Sequence, residues 1–266
     1  MTSDQVLRAF RLAVAVVCLS GLAARAADVD ALIEKGDQCD KRLQPKEALD
    51  DYLPACKLQP DNPSLLVRIA RQYRHLMSDT SSKTEKLRLG YISLDYATKA
   101  ATLAPDNAEA QLSPAISYGK MLPFMGNKEQ VNASPKIKTA VDRALKLDPN
   151  NDTAWHILGR WNRVLANVNL VKRVFAKTLY GDLPITTNEA AEKCLLKAIA
   201  INPNRCIHYI ELGRIYAEMG RKDDARKNIE KGLAMPNQEK DDPEMKQIGQ
   251  DTLKKMGFAR FVEKNL

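Results

Sequence analysis

ALDDYLPACKLQPDN, at 48–62, runs through an alanine-bearing apolar stripe and then breaks off at Pro60, followed by Asp61 and Asn62. The phrase returns as YATKAATLAPDN at 96–107, as AVDRALKLDPNN at 140–151 and as CLLKAIAINPN at 194–204. Each time a helical pattern ends at a proline, Pro60, Pro105, Pro149 or Pro203, a residue with no amide hydrogen to continue a helix. Self-similarity on this scale belongs to stacked helical hairpins, none of which can bury its apolar face alone. Such arrays generally present surfaces that hold a partner rather than pockets that do chemistry.

Outward from the prolines, the chain falls into the tetratricopeptide pattern, W-x2-L-G-x2-Y, then A-x3-F, then Pro. The cleanest copy is Tyr209, Leu212, Gly213, Tyr216, Gly220, Ala225 and Ile229. There Gly213 lets two helices approach closely and Gly220 forms the turn between them. Another copy opens with Trp155, Leu158 and Gly159 and closes with Ala191, Cys194, Ala198 and Pro203. The first copy reads Leu32, Gly36, Cys39, Ala48, Tyr52, Ala55 and Pro60, and two weaker ones centre on Ala70 with Tyr73 and on Ala115 with Tyr118. The spacing predicts an all-α, tetratricopeptide-like solenoid of about five helical hairpins over 27–235. Beyond it, Met245, Ile248, Thr252 and Met256 recur at helical spacing in a polar stretch, so 236–266 is expected to hold a C-terminal capping helix and tail.

Successive prolines are 45, 44 and 54 residues apart, against about 34 in the plain repeat. The excess lies between the two helices of a hairpin, in SDTSSKTEKLRLG (78–90), PFMGNKEQVNASP (123–135) and NVNLVKRVFAKTLYGDLPITTN (167–188). The first two read as expanded loops, which surface connections tolerate. The third has a pattern of its own: Leu170, Val171, Val174, Phe175 and Leu179 fall on one helical face, and Lys172, Arg173 and Lys177 on the other. Either this helix folds its apolar face back over the array, or its basic surface makes a peripheral membrane or partner contact.

A hydrophobic content of 44% with only 6% aromatics suits an Ala- and Leu-rich solenoid. At the N-terminus, Arg8 and Arg11 precede LAVAVVCLSGL (12–22), and Ala24-Arg25-Ala26 places small residues where an export signal is cut. Residues 1–26 are therefore expected to be a signal-like segment, cleaved after Ala26 or else retained as an anchor; the apolar run is too short to span a bilayer. Without them the chain loses three arginines and one aspartate, and its formal charge falls from +8 to +6. That charge is dispersed among acidic pairs such as Asp223-Asp224 and Asp241-Asp242, which argues against nucleic acid as a partner. Of Cys39, Cys56, Cys194 and Cys206, the first two lie on the two helices of one hairpin, where export would permit a disulfide. Both also occupy core positions and read as buried thiols, and no spacing resembles a zinc site.

No pattern points to catalysis, a metal or a cofactor. His75, His156 and His208 are isolated in sequence, with no second ligand at helical spacing and no nucleophile motif beside them. The repeat register instead predicts a groove. First helices line the concave face of such an array, which turns Val67, Arg71 and Arg74, then His156, Arg160 and Arg163, then Ile210, Arg214 and Ala217 toward it. Arginine recurs at one register position as Arg71, Arg160 and Arg214. Guanidinium forks suit carboxylates, so a row of them on one wall would favour an acidic peptide. The other reading is solvated charge on a basic protein.

LLVRIARQYRHL (65–76), HILGRWNRVLANV (156–168) and above all KRVFAKTLYGDLP (172–184) resemble the tetratricopeptide-like domain of the regulators of microtubule dynamics, over about 60–235. The specific part is the fourth insert with Arg173, Ala176, Lys177 and Leu179. The resemblance implies a non-enzymatic protein that associates with microtubules and spindle poles, some members being tethered to mitochondrial or endoplasmic-reticulum membranes. An arginine-lined groove is compatible with the acidic tails of tubulin, although the resemblance assigns no residue to that role. The export signal points elsewhere. A chain cut after Ala26 meets no cytosolic microtubule and fits an exported or membrane-associated adaptor using the same groove for another acidic ligand.

Overall fold

The computed structural model describes residues 28–168, 173, 177 and 183–258. Helix α1 covers 28–41. It is followed by α2 (Pro45–Leu58), α3 (Pro63–Leu76), α4 (Lys83–Leu103), α5 (Ala108–Met121), α6 (Asn127–Leu147), α7 (Asp152–Ala166), α8 (Asn188–Ile201), α9 (Cys206–Glu218), α10 (Lys222–Ala234) and α11 (Asp242–Lys255). Among the described residues, consecutive pairs form five hairpins, with α11 laid against α9 and α10, and no strand occurs. The leader-like segment 1–26 and the apolar face expected at 170–179 lie outside the described residues.

The recurring phrase does the same three jobs at each hairpin end. Five residues before the proline stands an alanine, Ala55, Ala100, Ala144 or Ala198, each with 0% exposure; its small side chain allows close helix crossings. The carbonyl of that alanine accepts the closing helical bond, from the amides of Gln59, Ala104, Asp148 and Asn202 at 2.8–3.0 Å. Two residues after the proline, Asn62, Asn107 and Asn151 cap the next helix, their side-chain oxygens accepting from the amides of Leu65, Ala110 and Ala154 at 3.2, 2.9 and 2.9 Å. Such a cap satisfies an amide with no partner inside the helix and contributes about 1 kcal/mol. The fourth phrase departs, because Arg205 stands where the others have asparagine and α9 begins without a side-chain cap.

Within the last hairpin, a Cβ on Gly213 would lie 2.5 Å from Ile229 Cγ1 and 2.8 Å from the carbonyl oxygen of Ala225. Glycine there is what lets α9 and α10 touch. Gly220 takes φ +76° at the turn between them, a conformation that costs glycine nothing.

The hairpins are expanded as the spacing requires, but the second and third take up most of the extra residues as helix rather than loop. Helices α4 and α6 each run 21 residues, preceded by short 3-10 turns at Met77–Asp79 and Leu122–Phe124. Ser82 caps α4 by accepting from the Glu85 amide at 3.3 Å, and the Glu129 carboxylate accepts from the Gly126 amide at 2.9 Å ahead of α6. Inserts that carry their own N-terminal cap wind more readily than they loop.

The core is a string of apolar clusters, one around Tyr52, Leu65 and Ile69, one around Met77, Met121 and Val141, one around Leu195, Leu212 and Ile215. Each hairpin buries its face on its neighbours, as a solenoid must. In α11 the deepest positions are Asp242, Gly249 and Leu253. Met245, Ile248, Thr252 and Met256 are half-buried beside them, so the covering face is rotated by about one residue from the sequence expectation. First helices α3, α5, α7 and α9 touch in succession and form one inner wall.

Candidate functional site

The inner wall has two halves with different chemistry. In the C-terminal half, α7 and α9 face each other across a buried polar cluster. Asp152, in the first turn of α7, accepts from His208 Nε2 at 2.9 Å, and His208 Nδ1 lies 3.1 Å from His156 Nδ1. With the Nε2 proton directed at a carboxylate, a neutral His208 must accept at Nδ1, which makes His156 the Nδ1–H tautomer. Burial, reinforced for His156 by its histidine neighbour, pulls both imidazoles below their ordinary pKa. The histidines that look isolated in sequence are thus a pair.

Beside them Glu211, with 0% exposure, holds two arginines. Arg163 Nε donates to it at 2.6 Å and Arg214 Nη1 at 2.8 Å, and Arg163 also reaches Glu218. Burial alone would raise the Glu211 carboxyl, but the guanidinia of Arg163, Arg214 and Arg160 outweigh it and hold it far below the usual carboxylate range. Arg160 is half-buried and sits in the field of the same carboxylate. The Glu211 carboxylate is sealed, and its counter-charges come from the two helices that enclose it.

In the N-terminal half, Arg74 is buried at 6% exposure, its guanidinium donating to Ser113 Oγ at 3.3 Å and Ser117 Oγ at 3.2 Å. Burial without an anionic partner brings its pKa down to about 10. Arg71 stays 40% exposed and meets Glu239 at 3.0 Å and Asp40 at 3.7 Å. Lys120 meets Asp241 at 2.8 Å and Glu244 at 2.9 Å, and Asp79 holds Lys240 at 2.8 Å. Ser78 donates to Asp241 at 2.9 Å while accepting from Lys120 at 3.0 Å. The segment between α10 and α11 therefore crosses from the last hairpin to α3 and α5. Beneath Arg71, Asp40 Oδ1, both Gln72 amide atoms and His75 Nδ1 are buried without a hydrogen-bond partner among the described residues.

The wall is thus not a continuous row of solvated side chains. Arg71, Arg160 and Arg214 reach solvent in part, whereas Arg74, His156 and Arg163 are buried, as are Val67 and Ile210. Glu211, Lys120, Glu239 and Asp241 were missed by sequence reasoning. Only the acidic run at 239–244 in a basic chain hints at them. In the fourth insert, Arg173 donates to the carbonyls of Leu165, Leu183 and Pro184, pinning the insert to the end of α7. Lys177 is exposed and Lys172 lies outside the described residues. Cys39, Cys56, Cys194 and Cys206 are free thiols. No three described His, Cys, Asp or Glu side chains cluster to hold a metal ion, and no described helix is long and apolar enough to cross a membrane.

Five stacked hairpins, closed by small residues and lined inside by their first helices, define a tetratricopeptide-like helical repeat protein. Among solved structures, a thermophilic TPR protein of Thermus thermophilus matches with a TM-score of 0.60 at 17% identity, over 85% of this chain and 98% of that one. PilF of Pseudomonas aeruginosa matches with a TM-score of 0.53 at 14% identity, over 88% and 93%. These likenesses concern the fold alone. The chain belongs to the family described as Regulator of microtubule dynamics protein 1-3, whose profile matches residues 26–257. Regulator of microtubule dynamics protein 2 of Bos taurus is 24% identical over 220 residues, 81% of this chain and 53% of that protein. Protein 1 of Caenorhabditis elegans is 27% identical over 172 residues, 65% and 76%. The chain spans about half the length of the bovine relative, 53%.

Proposed function

We propose that the chain is a non-enzymatic protein-interaction scaffold whose basic inner wall holds an acidic partner, with the acidic tails of tubulin as the candidate that the family name supplies. The observation that carries this reading is Arg71, partly exposed and engaged with a carboxylate 168 positions away at 3.0 Å. A wall that takes a carboxylate from a distant part of its own chain has the chemistry to take one from another chain. His156, His208 and Glu211 direct their polar atoms at Asp152, at each other and at arginines, which supports a structural role for them. The insert, through Lys172, Arg173 and Lys177, is a peripheral contact in this reading.

Co-sedimentation with microtubules, with and without tubulin's acidic tails, tests it. Arg71→Gln with Lys120→Gln is expected to abolish binding that depends on the tails; full retention would sink the reading. Charge reversal at Arg160, Arg163 or Arg214 is a poorer test, because it breaks the Glu211 cluster and mixes binding with stability. The leader-like pattern of 1–26 supports a second reading, an exported or membrane-associated adaptor with no microtubule role. Mass spectrometry of the native protein decides between them, a chain beginning at Ala27 favouring the second.

A further inference from the structure

The segment 239–244 meets the wall with matched charge at four of its six positions. Glu239 faces Arg71, Lys240 faces Asp79, Asp241 faces Lys120 and the Ser78 hydroxyl, and Glu244 faces Lys120. A match that includes one inverted pair is a register, which diffuse attraction between a basic face and an acidic run does not produce.

The shape of this segment does not depend on the wall. Asp242 turns away from it and accepts from the amides of Gln238 at 2.7 Å and Glu239 at 2.9 Å, and Lys246 donates to the carbonyl of Met235. The turn is held by its own residues, so the groove receives a preorganised strip of side chains. The contacts themselves stay wet. Side-chain exposure is 40% at Arg71, 31% at Glu239, 38% at Asp241 and 42% at Glu244, against 0% at Glu211; Lys120, at 12%, is the most enclosed member. Ion pairs this exposed contribute little net stability, and a competing set of carboxylates can replace them.

We propose that the N-terminal half of the inner wall is a docking site for a peptide with the charge order acid–base–acid–x–x–acid, and that residues 239–244 are its resident occupant. An acidic segment of a partner protein binds by displacing them. This rests on the groove reading above and adds the ligand's charge register and a resting state in which the site is filled. Apparent affinity is then the intrinsic affinity reduced by the fraction of molecules whose segment is released.

The full chain is tested as Glu239→Gln, Asp241→Asn and Glu244→Gln together, leaving Asp242 intact so that the turn survives. The probe is a fluorescent peptide copying residues 237–244, read by anisotropy. The triple variant is expected to bind it about tenfold or more tighter than the unaltered chain, and adding Arg71→Gln and Lys120→Gln is expected to erase the gain. Equal affinity of the unaltered chain and the triple variant overturns the resident-occupant inference while leaving the groove reading intact. Absence of binding by both overturns the groove reading along with it. A second measurement needs no variant. Saturating the unaltered chain with a copy of residues 237–244 whose lysine is dimethylated, which keeps its charge and resists trypsin, is expected to speed tryptic cleavage after Lys240 severalfold. An unchanged cleavage rate at saturation overturns the displacement.

Discussion

The two halves of the inner wall carry similar charges and treat them in opposite ways. Between α7 and α9, Arg163 and Arg214 close on the fully buried Glu211, and His156, His208 and Asp152 are hydrogen-bonded in a chain beside it. Between α3 and α5, Arg71 and Lys120 find their shortest ion pairs on a segment that arrives from the far end of the chain, Asp40 of α1 standing farther from Arg71. Four buried polar atoms stay unmatched there among the described residues. A sealed cluster holds two helices in one arrangement, whereas a borrowed one leaves a surface that can exchange its partner. The difference separates arginines paired among neighbouring first helices from one paired with the C-terminal segment, which register alone treats as equivalent.

Breaking the sealed half should have the largest effect. Glu211→Gln removes the carboxylate that Arg163 and Arg214 share, leaving the buried Arg163 with Glu218 alone and Arg214 with solvent. The loss is up to about 3–5 kcal/mol, and urea unfolding should show a lowered midpoint. Acid comes next. The folded-state pKa values of His75, His156 and His208 are depressed, His75 to about 4 through burial and the nearby Arg71. The unfolded chain therefore takes up protons first as pH falls below about 6.5, and the stability present above that pH is lost on the way to the folded value. His75 should cost on the order of 2 kcal/mol at pH 5 relative to pH 7.5, and His156 and His208 add to it in the same direction. His75→Gln, in the open half, should flatten only its share of that slope. The smallest effect belongs to the exchangeable half: Arg71→Gln should change stability by less than about 1 kcal/mol. That difference should shrink further in high salt, as thermal melts at two ionic strengths would reveal.

Most of the fold is legible in the recurring phrase, because alanine, proline and Gly213 act locally and their spacing is the architecture. The helical inserts were legible too, through Ser82 with Glu85 and Gly126 with Glu129, but repeat spacing draws attention to length and away from caps. The site was legible only in part. Register places Arg71, Arg160 and Arg214 on one wall, yet the partners of Arg71 and Arg160 stand far off in the chain, at Asp40, Glu211 and Glu239. Whether an arginine is neutralised from α9, from the segment before α11 or from solvent is decided by how the array curves. Nothing in a window of one hairpin encodes that curvature, and the His156–His208 pair escaped for the same reason.

The segment before α11 has a consequence for the history of the chain. Open solenoids lengthen and shorten by gaining or losing whole hairpins, since each one answers only to its neighbours. Here Glu239 must still reach Arg71, and Asp241 must still reach Lys120. Inserting one hairpin anywhere between α5 and α10 would carry the segment past both and leave four charges stranded. The clip acts as a ruler, and it fixes the number of described hairpins between α3 and α10 at four.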